Sequence, residues 1–113
     1  MWNFYSIFAV IQVYLLRIIK IKTLKDFWKK HPDAEIGLRD WHADIESKNW
    51  QTPNEVIAFF KKSDTIGNNR IVFNIEHNKY RLIVLFRYKI QVGFVRFIGT
   101  HKEYDKINDI QNI

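Results

Sequence analysis

The chain has 113 residues, a length that accommodates one domain and argues against two. Hydrophobic residues make up 47% of it and aromatic residues 16%, a composition that excludes general disorder. The chain contains no cysteine, which excludes disulfide frameworks, thiolate nucleophiles and cysteine-ligated metal sites and fits a reducing compartment such as the cytoplasm.

Lysine and arginine outnumber the acidic residues by 18 to 12, and the excess lies in the second half of the chain. Residues 17–60 carry 8 basic and 7 acidic side chains, whereas residues 61–113 carry 10 and 5. A surface that is charged only for solubility would more often spread its excess. The localised charge therefore favours one face that binds a polyanion.

Residues 1–16 form an apolar segment without any charged side chain. The segment is too short and too interrupted by polar residues for a spanning helix, and it lacks the basic start of a secretory signal. We therefore expect no stable membrane insertion. Three interpretations remain open for this segment: a first element of the core, an interfacial anchor, or an extension that lies outside a single domain of residues 17–113.

Residues 17–60 predict one strand followed by three helices. The β-branched run at 17–21 is typical of a strand. The first helix begins near Thr23, whose hydroxyl can cap it, and the second begins at Asp33, after a proline. The third helix follows Thr-Pro-Asn-Glu at 52–55, which combines a cap, a proline in the first turn and a capping-box glutamate.

From residue 70 onwards, hydrophobic residues alternate with a period of two, which predicts strands. Three such runs, at 71–75, 79–87 and 92–100, are joined by short turns, so we expect antiparallel neighbours. The order β-α-α-α-β-β-β predicts an α+β fold in which two to three helices pack on one side of a small antiparallel sheet.

Two arginines interrupt the apolar rows of the predicted sheet. Arg81 and Arg96 each lie between hydrophobic residues of a strand. A buried charge without a partner would be costly. Each arginine must therefore form a structural ion pair, or the face must open to solvent or a ligand. The shortage of acidic residues nearby favours an open, basic face that receives phosphate.

A histidine and a tyrosine follow the last strand at a spacing of three. His101 can exchange a proton near neutral pH, and Tyr104 can donate or accept through its hydroxyl. RNA cleavage without a metal needs one group to deprotonate the 2′-hydroxyl, another to protonate the leaving 5′-oxygen, and cations to stabilise the phosphorane. A lone histidine at a strand end is also a common surface residue, so the pattern alone does not decide its function.

Three segments of the chain, at 23–35, 67–82 and 94–107, resemble the HigB-type toxins of bacterial toxin–antitoxin modules. The resemblance extends in colinear order over residues 17–107. It implies the RelE/ParE-like fold, a small curved antiparallel sheet backed by helices. It also implies a cytoplasmic, metal-independent endoribonuclease without a cofactor, which cuts mRNA on the translating ribosome. The implied protein partner is a helix-turn-helix antitoxin, through which DNA would be contacted only indirectly.

The resemblance also suggests roles for individual residues. It matches Arg81 to a sheet arginine that holds phosphate, and His101 and Tyr104 to the acid and base positions, without deciding which is which. Strand alternation adds Arg96 as a cation and Lys79 as an RNA contact. The full candidate set comprises His101, Tyr104, Arg81 and Arg96 as catalytic residues, and Lys79, Lys102, Lys106 and Arg70 as RNA-binding residues. No metal ligand is expected, because the histidines show no metal-binding spacing.

The N-terminus departs from the family pattern, in which the chain begins just before the first strand, here at Leu16. One hypothesis is that residues 1–16 are translated upstream sequence. The other is a genuine extension that packs its apolar side chains on the domain.

Three other functions remain open at this point. A ParE-like gyrase poison would share the fold without needing the His–Tyr pair. A non-catalytic module would bind RNA through its cations and exposed aromatic rings. A membrane-associated toxin would act through residues 1–16.

Overall fold

The structure, a computed structural model, describes residues 14–113, so most of the predicted apolar extension lies outside the described residues. The helices and strands of the described part are β1 (Arg17–Ile19), α1 (Ile21–Lys30), α2 (Glu35–Ile45), α3 (Pro53–Phe59), β2 (Ser63–Gly67), β3 (Arg70–Ile75), β4 (Tyr80–Arg87), β5 (Val92–Thr100) and α4 (His101–Asp105). Three single 3-10 turns lie at Pro32–Ala34, Tyr88–Ile90 and Ile110–Asn112. Between residues 14 and 113, no helix is both long and apolar enough to cross a membrane.

The strands form one sheet in the order β1-β5-β4-β3-β2. Strands β2 to β5 are antiparallel neighbours, and β1 pairs with β5 in parallel. The predicted α+β fold is thus confirmed, and its sheet is mixed. The parallel pair arises because three helices separate β1 from the other strands, so that no hairpin fixes its direction.

Two elements escaped the sequence analysis. Strand β2, with the sequence Ser-Asp-Thr-Ile-Gly, lies at the sheet edge and buries no residue fully, so it lacks a clear hydrophobic alternation. Helix α4 has only five residues, too few for a helical hydrophobic period.

The core lies between the helices and one face of the sheet, where the alternate residues of β4 point inward as predicted. Tyr80, Leu82, Val84 and Phe86 are each at most 2% exposed. They pack in one cluster with the apolar faces of the helices, which contribute Leu24, Leu38, Trp41, Ile45 and Val56. Burial of such a side chain stabilises the fold by roughly 1.5–3 kcal/mol. The helices therefore cover this face, and the opposite face carries Arg81.

The described part of the apolar extension packs on the domain. Leu16 is 1% exposed and belongs to the core, and its amide donates to the main-chain oxygen of Lys48 at 3.1 Å. The side chain of Asn49 donates to the main-chain oxygen of Tyr14 at 2.6 Å. Core packing thus reaches one residue beyond the predicted boundary at 17. Both hypotheses on residues 1–16 as a whole stay untested.

A β-bulge interrupts the pairing of β4 with β5. Val84 faces Val95 and Ile83 faces Phe97, so Arg96 is the additional residue on β5. Such a bulge bends the strand and redirects the inserted side chain. It leaves Arg96 exposed rather than in an apolar row.

Gln91 holds the β4–β5 connection against the loop before α3. The residue adopts a left-handed conformation (φ 53°) and is 3% exposed. Its Oε1 accepts from the amide of Trp50 at 2.9 Å, and its Nε2 donates to the main-chain oxygens of Trp50 at 2.6 Å and Tyr88 at 2.7 Å. A single amide group thus satisfies three main-chain groups.

We expect Gln91→Ala to lower the free energy of unfolding by about 2 kcal/mol, because it leaves buried main-chain groups of Trp50 without partners. Urea denaturation followed by tryptophan fluorescence measures the loss. Lys89→Ala, at an exposed position of the same turn, is the control and should change stability by less than about 0.5 kcal/mol. Equal losses for the two variants would contradict this role of Gln91.

Candidate active site

Helix α4 is fixed at the end of β5 by its capping box. The hydroxyl of Thr100 accepts from the amide of Glu103 at 3.2 Å, and the Glu103 carboxylate accepts from the amide of Thr100 at 2.8 Å. The hydrogen bond from the Thr100 amide holds the pKa of the Glu103 carboxyl below its ordinary value. The amide of His101 also donates to the main-chain oxygen of Lys79 at 3.2 Å. A helix this short does not persist alone, so these contacts determine its position.

Arg81 and Tyr104 meet at the junction of β4 and α4. The guanidinium carbon of Arg81 lies 5.6 Å from the centroid of the Tyr104 ring. Its Nη1 donates to the main-chain oxygen of Asn78 at 3.1 Å and to the Asn78 side-chain oxygen. Within residues 14–113, no carboxylate lies within ion-pair distance of this group, which is partly exposed. The cation therefore keeps its charge and further N–H donors for a ligand.

A turn of unusual conformation places Asn78. Glu76, His77 and Asn78 have φ angles of 50°, 50° and 74°, all in the left-handed region. Asparagine tolerates this conformation better than most residues. The turn between β3 and β4 thereby directs the Asn78 oxygens at the guanidinium of Arg81.

Gly99 makes room for the aromatic ring beside this pair. Gly99 faces Arg81 across the β4–β5 ladder. A Cβ atom on Gly99 would lie 2.6 Å from Cζ of Phe97 and 3.1 Å from Oε1 of Glu103. The centroids of the Phe97 and Tyr104 rings are 6.4 Å apart. The absence of a side chain at Gly99 thus lets Phe97 pack towards Tyr104.

The surroundings of Tyr104 favour the protonated phenol. Burial raises the pKa of its phenol above the ordinary value of 10.0, and the neighbouring Arg81 opposes this rise. Asp105 and Asp64 raise the pKa further because their negative charges disfavour the phenolate. The phenol is therefore protonated in neutral solution and can donate a hydrogen bond or a proton.

His101 lies on the same helix as Tyr104 but has different neighbours. Its Nε2 is 3.4 Å from Oδ1 of Asp105, and its side chain is half exposed. It borders a groove that also contains Lys79 and Lys102, whereas the Tyr104 ring packs towards Arg81 and Phe97. The imidazole and the phenol thus share helix α4 but face different neighbours, and the carboxylate of Asp105 can orient the imidazole.

The remaining candidates fall into two groups. Arg96, Lys102 and Lys106 are exposed and make no ion pair within the described part of the chain. Two further candidates are already engaged by other residues. Lys79 pairs with Asp33, whose hydrogen bond raises the pKa of the ammonium, and Arg70 donates to the main-chain oxygen of Ile113 at 2.7 and 3.2 Å.

The structure therefore brings Arg81, Tyr104, His101 and Lys102 together around α4 and leaves Arg70 apart. Arg70 faces Leu85 in the β3–β4 ladder, four positions from the pair that contains Arg81. At about 3.4 Å per residue, this separation is roughly 14 Å along the strand.

The sequence analysis did not identify Asn78, Phe97 or Asp105 as parts of the site. Strand alternation indicates Phe97, because it lies two positions before Gly99 on the same face as Arg81. The helical spacing of four between Asp105 and His101 is also visible in the sequence. The contact of Asn78 depends on the turn conformation, for which the sequence gives only a general turn signal. Over residues 14–113, no three His, Asp or Glu side chains cluster as a metal site would require.

Comparison with known proteins adds to this geometry. The family model HigB_toxin, described as the RelE-like toxic component of a toxin-antitoxin system, matches residues 34–107. The chain is 28% identical over 92 residues to the mRNA interferase toxin HigB of Escherichia coli K12, covering 80% of this chain and 88% of that protein. It is 26% identical over 94 residues to the mRNA interferase HigB of Escherichia coli O6:H1, covering 81% and 91%.

The matched range contains four of the five strands and the whole of α4. Arg81, His101 and Tyr104 all lie within it. The chain thus belongs to the HigB toxin family, the RelE-like toxic components of toxin–antitoxin systems.

Proposed function

We propose that this toxin is an endoribonuclease that cleaves mRNA around Arg81 and Tyr104. The observation that carries the proposal is the position of the Arg81 guanidinium, 5.6 Å from the Tyr104 ring and without a carboxylate partner among the described residues. Guanidinium groups bind phosphate through charge-assisted hydrogen bonds. The names of the relatives, which are mRNA interferases, support RNA as the substrate.

In this mechanism, Arg81 holds the scissile phosphate and stabilises the charge that develops on it. The 2′-oxygen attacks phosphorus, and the bond from phosphorus to the 5′-oxygen breaks, leaving a 2′,3′-cyclic phosphate and a 5′-hydroxyl. Negative charge grows on the non-bridging oxygens of the transition state. Preorganised cations beside these oxygens usually give the largest catalytic gain. The exposed Arg96 is the second candidate for stabilising this charge.

Tyr104 and His101 divide the proton transfers. The protonated phenol of Tyr104 donates to the leaving 5′-oxygen, because burial keeps its pKa above the ordinary value. The imidazole of His101 accepts the proton of the 2′-hydroxyl, and Asp105, 3.4 Å away, orients it. No metal is needed in this scheme, since side chains of the protein supply the acid, the base and the cations.

Family membership and charge support a proposal for the cellular setting. We propose that cleavage takes place in the cytoplasm on the translating ribosome, where Lys102 and Lys106 contact RNA phosphates. The excess of five positive charges in residues 61–113 favours binding to a large RNA surface. A helix-turn-helix antitoxin is the proposed inhibitor of the toxin.

We expect Arg81→Ala to lower the rate of mRNA cleavage by about 100-fold or more, because one charge-stabilising donor is lost. Arg87→Ala is the matched control, since Arg87 lies on the same strand and face but away from Tyr104. The measurement is single-turnover cleavage of a defined mRNA on programmed ribosomes, monitored by primer extension.

Equal rates for the two variants would contradict the site. Intact mRNA with the unaltered protein would contradict the nuclease itself. In that case, broken DNA would favour a gyrase poison, and salt-sensitive binding without cleavage would favour an RNA-binding module.

We expect Tyr104→Phe to slow cleavage by about 100-fold while leaving RNA binding unchanged, since only the proton donor is removed. The control is Tyr14→Phe, at an exposed tyrosine of the domain. An alkaline loss of activity that depends on Tyr104 should occur above pH 10, because the pKa of the phenol is raised from 10.0. Full activity of Tyr104→Phe would exclude the phenol as the acid.

The pKa of Tyr104 should shift in opposite directions when its two charged neighbours are removed. Arg81→Ala should raise it, because the lost cation favoured the phenolate, and Asp105→Asn should lower it, because the lost anion opposed the phenolate. NMR titration of tyrosine labelled with carbon-13 at Cζ measures both shifts, and Tyr104→Phe assigns the signal. Shifts of the same sign would contradict the described geometry.

A further inference from the structure

A groove opens between the C-terminal end of α1 and the N-terminal end of α4. It has a volume of about 590 Å³, within the size range of pockets that bind small ligands. Its lining residues are His31, Asn78, Lys79, Tyr80, Thr100, His101 and Lys102. The groove thus carries an imidazole from each of the two elements that border it.

Aromatic packing fixes the imidazole of His31 in the wall of this groove. Its ring stacks on Phe27 with a centroid distance of 4.4 Å and an interplanar angle of 21°. The edge of Tyr80 approaches it with a centroid distance of 5.3 Å. Tyr80 is itself 2% exposed, and its hydroxyl donates to Asp33 at 2.6 Å. His31 is half-buried, so one part of a rigidly held aromatic ring remains accessible from the groove.

The charges around the groove are distributed unevenly. Lys79 is paired with Asp33, and the carboxylate of Glu103 lies close enough to His31 to interact with it electrostatically. Lys102 is exposed and makes no ion pair within residues 14–113. The wall near His31 therefore offers an aromatic surface whose neighbouring lysine is already paired, while the α4 side offers the cation of Lys102.

The groove adjoins the candidate active site through Asn78 and His101. Asn78 lines the groove and also accepts two hydrogen bonds from Nη1 of Arg81. His101 lines the groove as well. A polynucleotide whose phosphate contacts Arg81 can therefore extend past Asn78 towards this groove.

We propose that the groove binds the nucleoside adjoining the scissile phosphate, with its base stacked against the imidazole of His31. The inference rests on the proposed function and deepens it. Stacking on aromatic rings contributes strongly to the binding of single-stranded RNA and tolerates different bases. His31 thus binds the base directly and takes no part in proton transfer. It precedes the range 34–107 that the family model matches.

The test measures the binding of a fluorescent 2′-O-methyl RNA tetranucleotide, which cannot be cleaved because its 2′-hydroxyls are blocked. We expect His31→Ala to weaken binding by about tenfold, whereas His31→Phe, which keeps an aromatic ring, should bind within about twofold of the unaltered protein. His42→Ala, on α2 outside the groove, is the matched control and should leave binding unchanged. The salt dependence should stay constant in His31→Ala, since no phosphate contact is removed.

A second measurement covers the case in which His31→Ala unfolds. In the unaltered protein, the NMR signals of the His31 ring should shift when the tetranucleotide is added, and those of His42 should not. Unchanged binding by His31→Ala, equal losses for the Ala and Phe variants, or unshifted His31 signals would each overturn the proposal.

These outcomes can be distinguished from failure of the nuclease assignment. Binding that depends on His31 without any cleavage of unmodified mRNA would refute the nuclease and keep the groove. Cleavage with an unchanged KM in a folded His31→Ala variant would refute the groove and keep the nuclease.

Discussion

The candidate site depends on a positive charge that the fold leaves without a negative partner. Arg81 projects from a central strand, where an uncompensated charge is costly unless it stays partly solvated. Its oxygen partners come from Asn78, and a phenol ring packs beside it. An ion pair with a carboxylate would have offset the cost of the Arg81 charge. It would also have occupied the guanidinium and made it less available to a phosphate. The elements around it, including α4 and the tight packing at Gly99, keep this cation accessible.

Local patterns accounted for most of the fold. The alternation from residue 70 onwards predicted β3, β4 and β5, and the Thr-Pro-Asn-Glu sequence at 52–55 predicted the start of α3, where the Thr52 side chain accepts from the amide of Glu55. The parallel pairing of β1 depends on contacts with residues more than 70 positions away, which no local pattern contains. Strand β2 lies at an edge and is held by its ladder with β3 rather than by burial.

The site was accessible to sequence reasoning only in part. The arginines in apolar rows indicated an open basic face, and the family resemblance suggested Arg81, His101 and Tyr104. The partners of Lys79 and Arg70 lie 46 and 43 positions away in the sequence, so their engagement could not be read from neighbouring residues. The imidazole of His101 and the phenol of Tyr104 likewise have different environments because of tertiary packing between the strands, α1 and α4.

Changes in the turn between β3 and β4 should affect the candidate site more than the core. Three consecutive residues, Glu76 to Asn78, adopt the left-handed conformation, and the last of them directs its oxygens at Arg81. Hairpin loops usually tolerate insertions because their lengths have little effect on the core. Here a change of loop length would reorient a guanidinium while leaving the hydrophobic interior intact. Well-folded yet inactive forms of the toxin can therefore arise from a change in this surface loop, which lies outside the hydrophobic core.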